Sequence, residues 1–249
     1  MKYKEDFILE LVEFYKKQLS QIRDIRLTKN EEGITHQHIL SYSTYSPWVD
    51  DLEFQKVYKI IKGNTLVDIY RCYELWNLVK KNEHLKGDIV EVGVWRGGTG
   101  ALLAKAAESY SNCKVYLADT FTGVVKASSQ DTTYKGGEHA DTSIEMVEKL
   151  LADLHVNNTV LLQGIFPNEV HLNNAQPAIR LCHIDVDTYA SAKDIFDYIW
   201  PYIVPGGCVV FDDYGFWGCE GVTKLCNEIS LSDATFIHNI NGHGIFIKV

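Results

Sequence analysis

The chain has 249 residues, of which 24 are Lys or Arg and 33 are Asp or Glu, so its formal net charge is −9. Hydrophobic residues make up 46% of it, which is enough for a substantial core and excludes an intrinsically disordered protein. The acidic balance argues against a general nucleic-acid-binding or anionic-membrane surface, because both need concentrated Lys and Arg.

Cysteine usage and the N-terminus bear on the cellular compartment. The six cysteines stand at scattered spacings, without a C-x-x-C pair or a zinc-finger-like cluster. In a chain of this size they are expected to be reduced, buried thiols. The N-terminus is too charged for a secretory signal, and no apolar stretch has the ~18 residues that a membrane-spanning helix needs. We predict a cytoplasmic protein without membrane or nucleic-acid partners, and we leave its oligomeric state open, a homo-oligomer included.

The N-terminal part of the chain alternates between helical and irregular patterns. Residues 1–28 carry apolar side chains at helical spacing, whereas residues 28–47 lose that period and are rich in hydroxyl groups, His and Tyr. An irregular connection of this length is usually functional or mobile. Helical spacing returns over residues 67–81. We assign residues 1–64 to an N-terminal helical extension with a lid loop that excludes water.

From residue 88 onward, short β-rich runs alternate with segments of helical length. The predicted strands cover residues 88–95, 114–119, 159–166, 180–189, 207–213, 234–240 and 244–249. The predicted helices between them cover residues 99–109, 142–154, 191–200 and 219–229. This alternation predicts an α/β fold with a doubly wound, mostly parallel sheet, and the Asn241-Gly242 turn signal predicts a closing antiparallel hairpin. We therefore predict one domain over residues 65–249.

A glycine-rich turn follows the first strand of this domain. Gly93, Gly97 and Gly98 let the backbone pass close to a ligand, and a helix starting at Gly98 and Thr99 offers free N–H groups to an anion or carboxylate. The spacing is not the dinucleotide fingerprint G-x-G-x-x-G. Glu91 lies inside the strand, where a buried carboxylate needs a cationic partner. The alternative interpretation is a tight strand-to-helix turn without a ligand.

An acidic residue, Asp119, ends the second strand. A carboxylate at this position of a nucleotide-binding unit accepts hydrogen bonds from ribose hydroxyls. Thr120 and Phe121 follow it and are placed to touch an adenine. Taken alone, Asp119 would be read as the cap of a turn. Its position after the glycine-rich turn favours the nucleotide interpretation.

Two pairs of carboxylates end the next strands of the predicted sheet. Asp185 and Asp187 follow one strand, and Asp212 and Asp213 follow the next. The carboxyl ends of parallel strands meet at one sheet edge, so these groups would repel one another unless a cation neutralises them. Oxygen ligands without nearby Cys favour Mg²⁺, with Mn²⁺ or Ca²⁺ as substitutes. We predict Asp185, Asp212 and Asp213 as metal ligands and Asp187 as a fourth ligand or its neighbour; the alternative is solvated strand ends.

The order of these motifs resembles the macrocin O-methyltransferase family, a group of Mg²⁺-dependent class I S-adenosylmethionine (SAM) methyltransferases that act on sugar hydroxyls of macrolide antibiotics. The resemblance runs from about residue 65 to residue 246 and is carried by residues 89–98, 118–123, 163–167, 183–189, 202–207 and 212–214. It implies a Rossmann-like, seven-stranded sheet. Relatives of this group also methylate other sugars, including bacterial polysaccharides, so the acceptor stays open.

The resemblance also implies roles for individual residues. SAM contacts are expected from Glu91, Gly93 and the turn after it, from Asp119, and from Gly164 after the third strand. Metal ligation is expected from Asp185, Asp212 and Asp213, and Asp185 also counts among the catalytic and cofactor-binding residues. Catechol-type relatives carry a general-base Lys three residues after the first metal-binding Asp, but position 188 is Thr in this chain.

A base must still remove the proton of the acceptor hydroxyl, together with a metal that lowers the pKa of that hydroxyl. We predict His139 as this base, because His titrates near neutrality, and Glu138 as the next candidate. An equal alternative is that both are solvated loop residues. His36 and His38 are weaker candidates, and His183 reads as a core histidine.

Five aromatic residues flank the predicted site along the sequence and are candidates for packing on a sugar, with ordinary core as the alternative: Tyr42, Tyr45, Trp48, Phe216 and Trp217. Two other functions stay open. One is a different natural-product or polysaccharide tailoring enzyme on the same fold. The other is a non-catalytic module that binds SAM or a nucleotide through Glu91 and Asp119.

Overall fold

A computed structural model of the chain describes residues 10–11, 13–15, 17, 26–29, 35–37, 46–174, 176–239 and 243–249. The chain divides between Pro47 and Trp48 into two units. We predicted the division at residue 64, so the helix that follows Asp51 belongs to the second unit rather than to the N-terminal extension. The proposed role of the N-terminal segment as a lid stays a prediction.

The first unit contains helical residues and a strand pair. Residues 10, 11, 13–15 and 17 are helical, as the spacing predicts. Strand β1 (Arg26–Lys29) pairs antiparallel with β2 (Thr35–Gln37). The predicted helix over residues 1–28 therefore ends before Arg26, and the predicted irregular segment contains a strand. Both strands are too short for a period-of-two pattern to stand out in the sequence.

The second unit is built on a seven-stranded sheet with the order β5-β4-β3-β6-β7-β9-β8. Its strands are β3 (Asp88–Val92), β4 (Val115–Asp119), β5 (Thr159–Gln163), β6 (Ile179–Ile184), β7 (Ile203–Phe211), β8 (Ala234–His238) and β9 (Gly244–Lys248). Strands β3 to β7 are parallel, and β9 runs antiparallel to both β7 and β8. The predicted fold class is confirmed; the Asn241-Gly242 turn lies outside the described residues.

Six helices cover the two faces of this sheet: α1 (Leu52–Ile61), α2 (Ile69–Lys81), α3 (Gly98–Ala106), α4 (Ile144–Asp153), α5 (Tyr189–Ile199) and α6 (Glu220–Glu228). The helix α1 was not predicted from the sequence. Its signals were present, since the Asp51 side chain accepts the N–H of Phe54 at the helix start, and Phe54, Val57 and Ile61 form a buried stripe.

Each sheet face has its own apolar core. Helices α1 to α4 pack on one face, and α5 and α6 pack on the other. Because successive side chains of a strand point to opposite faces, Glu91 and His183 lie on the α1–α4 face, two residues after the core residues Ile89 and Leu181. Two ionisable side chains are therefore buried in the middle of the sheet.

The strands end earlier than predicted. Strands β3, β6 and β7 stop at Val92, Ile184 and Phe211, so the glycine-rich turn and all four predicted acidic residues lie in the loops just beyond them. All six cysteines are free and buried, as expected. Among the residues that the structure describes, no helix combines the length and apolarity needed to cross a membrane.

Candidate active site

The glycine-rich turn brings the ends of β3 and β6 into close contact. Gly93 has a φ of 90°, and a Cβ atom at this position would lie 1.7 Å from the carbonyl oxygen of Asp185. Only glycine fits this conformation and this approach. Gly97, also with a positive φ of 87°, stands immediately before α3, and the N–H of Gly98 donates to the carbonyl of Asn64 at 2.9 Å.

Asp119 holds this turn in place. One carboxylate oxygen, Oδ2, accepts the backbone N–H groups of Val94 at 2.7 Å and Trp95 at 2.8 Å, and Oδ1 accepts the N–H of Phe121 at 2.7 Å. A carboxylate has room for further donors, because its two oxygens offer about four acceptor positions. Asp119 therefore connects the ends of β3 and β4 and still lines the cavity above them.

A cavity of about 240 Å³ opens at the carboxyl ends of the parallel strands. The predicted site residues that line it are Gly93, Thr99, Asp119, Thr120, His139, Gly164, Asp185, Asp187, Asp212, Asp213 and Phe216. Five residues predicted to bind the cofactor or to act as the base lie outside its wall: Glu91, Gly97, Gly98, Phe121 and Glu138. Phe121 is buried in the core on the α1–α4 face, so its placement differs from the predicted contact with an adenine.

Three carboxylates meet at the β6 and β7 end of the cavity. Ligand oxygens of Asp185, Asp212 and Asp213 lie within 4.8 Å of one another. Burial, together with the charges of the other carboxylates, raises the pKa of Asp185 and of Asp213 well above the usual range. The N–H of Asp187 donates to Asp213 Oδ2 at 3.0 Å, so Asp187 stands beside this group.

Asp212 differs from its two neighbours because it has cationic partners. Its Oδ2 pairs with the guanidinium of Arg71, a buried residue of α2. Its Oδ1 lies 3.3 Å from His183 Nε2 and 3.0 Å from His243 Nε2. Burial alone would raise the pKa of Asp212, but the hydrogen bonds from the two histidines and the charge of Arg71 outweigh it and hold this pKa well below its usual value.

Glu91 has the cationic partner that its burial requires. Its Oε1 lies 2.9 Å from His183 Nδ1, and both side chains are fully buried. Burial would lower the pKa of His183, but hydrogen bonds to Asp212 and Glu91 raise it to about 10, so the imidazole is protonated at neutral pH. The structure thus places Glu91 beneath the cavity, which differs from the predicted direct contact with the cofactor. Among the residues that the structure describes, none forms a hydrogen bond with its Oε2.

The loop between β4 and α4 contains the predicted bases. His139 lines the cavity, with its Nε2 at 3.3 Å from the hydroxyl of Tyr134. Glu138 instead accepts the N–H groups of Lys135 at 2.7 Å and Gly136 at 2.8 Å. These hydrogen bonds, that of Lys135 first, lower the pKa of Glu138. Of the two candidates, only His139 faces the cavity.

The motifs and the fold agree with a comparison to known families. A sequence model of the macrocin O-methyltransferases matches residues 59–248. The chain belongs to the macrocin O-methyltransferase family. It is therefore an enzyme, a methyltransferase, and the resemblance stated from its motifs is confirmed.

Two curated relatives are methyltransferases of natural products. The 8-demethyl-8-(2,3-dimethoxy-alpha-L-rhamnosyl)-tetracenomycin-C 4'-O-methyltransferase of Streptomyces olivaceus is 28% identical over 200 residues, which cover 74% of this chain and 75% of that protein. The mycinamicin III 3''-O-methyltransferase of Micromonospora griseorubida is 23% identical over 199 residues, covering 74% and 78% of the two chains.

Solved structures support the fold of this family member. The O-methyltransferase NovP superposes with a TM-score of 0.69 at 20% identity, over 80% of this chain and 98% of its own. The calicheamicin methyltransferase CalS11 superposes with a TM-score of 0.60 at 19% identity, over 82% and 94% of the two chains. Both share the class I methyltransferase fold with this chain.

The aromatic candidates of this macrocin-type methyltransferase separate into different environments. Phe216 lines the cavity, with its ring centroid 5.4 Å from the guanidinium carbon of Arg71, whereas Trp217, which is equally exposed, does not line it. Trp48 packs edge-on against Tyr70 of α2, at 4.9 Å between ring centroids, as a core residue does. His38, Tyr42 and Tyr45 lie outside the described residues, and His36 lies in β2.

Four functional candidates were missed by sequence reasoning: Arg71, Glu74, Tyr134 and His243. Arg71 had a signal, because it stands in the buried stripe of α2 next to Cys72 and one turn before Leu75, where a charge needs a partner. Glu74 and His243 had none, since their partners are far away in the sequence. Tyr134 lies five residues before His139, and the folded loop brings the two side chains together. The family resemblance did not include them either.

Proposed function

We propose that this methyltransferase transfers the methyl group of SAM to a sugar hydroxyl and uses a divalent cation, Mg²⁺ in the first place. The observation that carries the proposal is the convergence of two halves in one cavity. The glycine-rich turn held by Asp119 lies at the ends of β3 and β4, and the three carboxylates lie at the ends of β6 and β7.

SAM fits the half formed by β3, β4 and β5. We assign the methionine part to the turn at Gly93 and Thr99, the ribose hydroxyls to Asp119, and the adenosine side to Thr120 and Gly164, all of which line the cavity. Asp185 links this half of the cavity to Asp212 and Asp213, because its backbone contacts Gly93 and its side chain is one of the three carboxylates. We assign Glu91 no direct contact with SAM; it lies beneath the cavity in β3, the strand that leads into the glycine-rich turn.

The three carboxylates are suited to a hard divalent cation. Their ligand set consists of oxygen atoms only, at separations that one ion can bridge. Asp185 and Asp213 resist ionisation because each is buried beside other carboxylates, and a divalent cation would remove that cost. A cation held there would lower the pKa of a bound hydroxyl and align it with the sulfonium carbon.

His139 is the residue that we assign to proton removal. It lines the cavity from the loop between β4 and α4, and the Tyr134 hydroxyl beside it orients the ring. Burial and the nearby Asp187 raise the pKa of Tyr134, so its hydroxyl stays protonated. In the reaction, the hydroxyl proton passes to the imidazole while the oxygen forms a bond to the methyl carbon and the bond from carbon to sulfur breaks, which leaves S-adenosylhomocysteine.

The acceptor class comes from the relatives. The tetracenomycin enzyme is named for 4'-O-methylation of a product that carries a rhamnosyl group, and the mycinamicin enzyme for 3''-O-methylation of mycinamicin III. Phe216 provides an exposed aromatic face at the cavity that would pack on a sugar ring. A glycosylated natural product or a nucleotide sugar is therefore the acceptor to test first.

Calorimetry with SAM, followed by turnover assays on glycosylated acceptors with and without EDTA, tests the proposal. We expect SAM to bind in both conditions and turnover to need the divalent ion. SAM binding without turnover on any acceptor would favour a non-catalytic module, and turnover that persists in EDTA would contradict the role of the cation. If SAM does not bind, the proposal is wrong.

A further inference from the structure

A buried chain of ionisable side chains crosses the α1–α4 face of the sheet beneath the cavity. We call Glu91, His183, Asp212, His243 and Glu74 the carboxylate–histidine chain. His183 bridges Glu91 Oε1 at 2.9 Å and Asp212 Oδ1 at 3.3 Å. His243 bridges the same Asp212 Oδ1 at 3.0 Å and Glu74 Oε2 at 2.5 Å. Each histidine thus joins Asp212 to a second carboxylate.

Five separate segments contribute to the carboxylate–histidine chain. Glu91 and His183 come from adjacent strands, where they stand opposite each other in register. Asp212 follows β7, His243 precedes β9, and Glu74 lies on α2. Both imidazoles have no solvent exposure, so burying them costs free energy that only their hydrogen bonds offset. We therefore expect the carboxylate–histidine chain to have a function besides packing.

The carboxylate–histidine chain restricts the orientation of the Asp212 side chain. Two imidazoles on Oδ1 and the Arg71 guanidinium on Oδ2 leave its carboxylate little freedom to rotate. Outside the metal set, Glu91 and Glu74 fix the ring orientation of the two histidines, as carboxylates do for histidines around metal sites. Asp213, by contrast, is contacted by the backbone N–H of Asp187 at the same end of the cavity.

We propose that His183 and His243 are positioning residues, which hold the Asp212 carboxylate in the orientation that completes a divalent-cation site with Asp185 and Asp213. The inference rests on the proposed function, because it presupposes the cation. It assigns to His243 and Glu74, two residues outside every motif of the sequence, a role in metal affinity rather than in cofactor binding.

Titration of the intact, metal-free protein with Mn²⁺, followed by electron paramagnetic resonance, tests this assignment without a turnover assay. His243→Leu keeps the volume of the side chain but removes the N–H donor to Asp212. We expect it to weaken Mn²⁺ binding about 10- to 100-fold, the range found when such outer partners are removed. His243→Gln keeps an N–H near the Nε2 position, and we expect binding within about threefold of the wild type.

Two controls separate positioning from a loss of structure. His84→Leu changes an exposed histidine and should leave Mn²⁺ binding unchanged. SAM affinity, measured by calorimetry on each variant, should stay within a few-fold, because the cofactor half of the cavity is not altered. If His243→Leu does not fold, Glu74→Leu provides the second test, since Glu74 is partly exposed and the substitution removes the oxygen that accepts from the His243 ring. We expect Glu74→Leu also to weaken Mn²⁺ binding.

The outcomes are distinct. Weaker Mn²⁺ binding by His243→Leu, restored by His243→Gln at constant SAM affinity, supports the positioning role. Equal Mn²⁺ affinity of the wild type and a folded His243→Leu or Glu74→Leu protein overturns it and leaves the proposed function intact. A wild-type protein that binds SAM but no Mn²⁺ overturns the metal assignment, and the positioning role with it.

Discussion

The two halves of the cavity edge are built in different ways. At the ends of β3 and β4, backbone conformation makes the site: Gly93 allows contact with β6, and Asp119 holds backbone N–H groups of the turn. At the ends of β6 and β7, side-chain charge makes the site, with Asp185 and Asp213 buried beside other carboxylates and Asp212 paired to Arg71. Substitutions should therefore reduce activity for steric reasons in the first half and for electrostatic reasons in the second.

Asp185→Asn is expected to have the largest effect on catalysis. It removes one charge from the proposed cation site, and we expect turnover to fall by about 10³-fold or more, or about 4 kcal/mol of transition-state stabilisation. Because it also removes like-charge repulsion, the metal-free protein should melt a few degrees higher, at about 2–4 °C for each kcal/mol. Initial rates and calorimetric melting measure both effects.

The matched control is Asp153→Asn at the exposed end of α4, which should change neither rate nor melting temperature. SAM affinity of Asp185→Asn should stay within a few-fold of the wild type. Wild-type turnover in Asp185→Asn would contradict the cation site.

Gly93→Ala tests the steric half. The added methyl group would lie 1.7 Å from the Asp185 carbonyl oxygen, so the turn must open. We expect the free energy of unfolding to fall by about 3 kcal/mol and SAM binding to be lost. Gly137→Ala is the control, since Gly137 has the same φ of 90° but nothing within 4 Å of its added Cβ. Left-handed strain alone should cost it about 1–2 kcal/mol. Similar losses for both variants in urea unfolding would show that the close approach does not matter.

His139→Gln tests the proposed base on the loop between β4 and α4. General-base catalysis contributes about 10² to 10⁴ in rate, and we expect a loss of about 10²-fold in kcat with SAM affinity unchanged. Glu138→Gln should retain kcat, because its carboxylate is bound to loop N–H groups rather than directed into the cavity. A reversed order of the two variants in steady-state kinetics would assign the base to Glu138.

Asp119→Asn should have the smallest effect of the four. The amide still offers one oxygen to the turn, but it loses the charge that strengthens hydrogen bonds from backbone and ribose, so SAM should bind about tenfold more weakly. Asp88→Asn is the control, because Asp88 accepts the N–H of Lys114 in the same way at the opposite end of the sheet. Equal SAM affinity of wild type and Asp119→Asn would remove the ribose contact from the proposal.

By itself, the sequence determined the features that depend on contiguous residues. The alternation of strands and helices predicted the sheet, and the glycine-rich turn, Asp119 and the two acidic pairs predicted which strand ends form the cavity. The missed α1 helix and the strand boundaries were errors of local pattern, because the apolar stripe of α1 is short and the strands stop before their acidic residues.

Only the tertiary structure decided which charges meet. Arg71, Glu74 and His243 come from a helix and a hairpin that the chain brings beneath Asp212, and Glu91 proves to face His183 rather than the cavity. Sequence spacing carries no information on such partners, since a hydrogen bond joins atoms within about 3 Å whatever their separation along the chain. That Asp212 is the carboxylate paired with Arg71 and the two histidines follows from this packing alone.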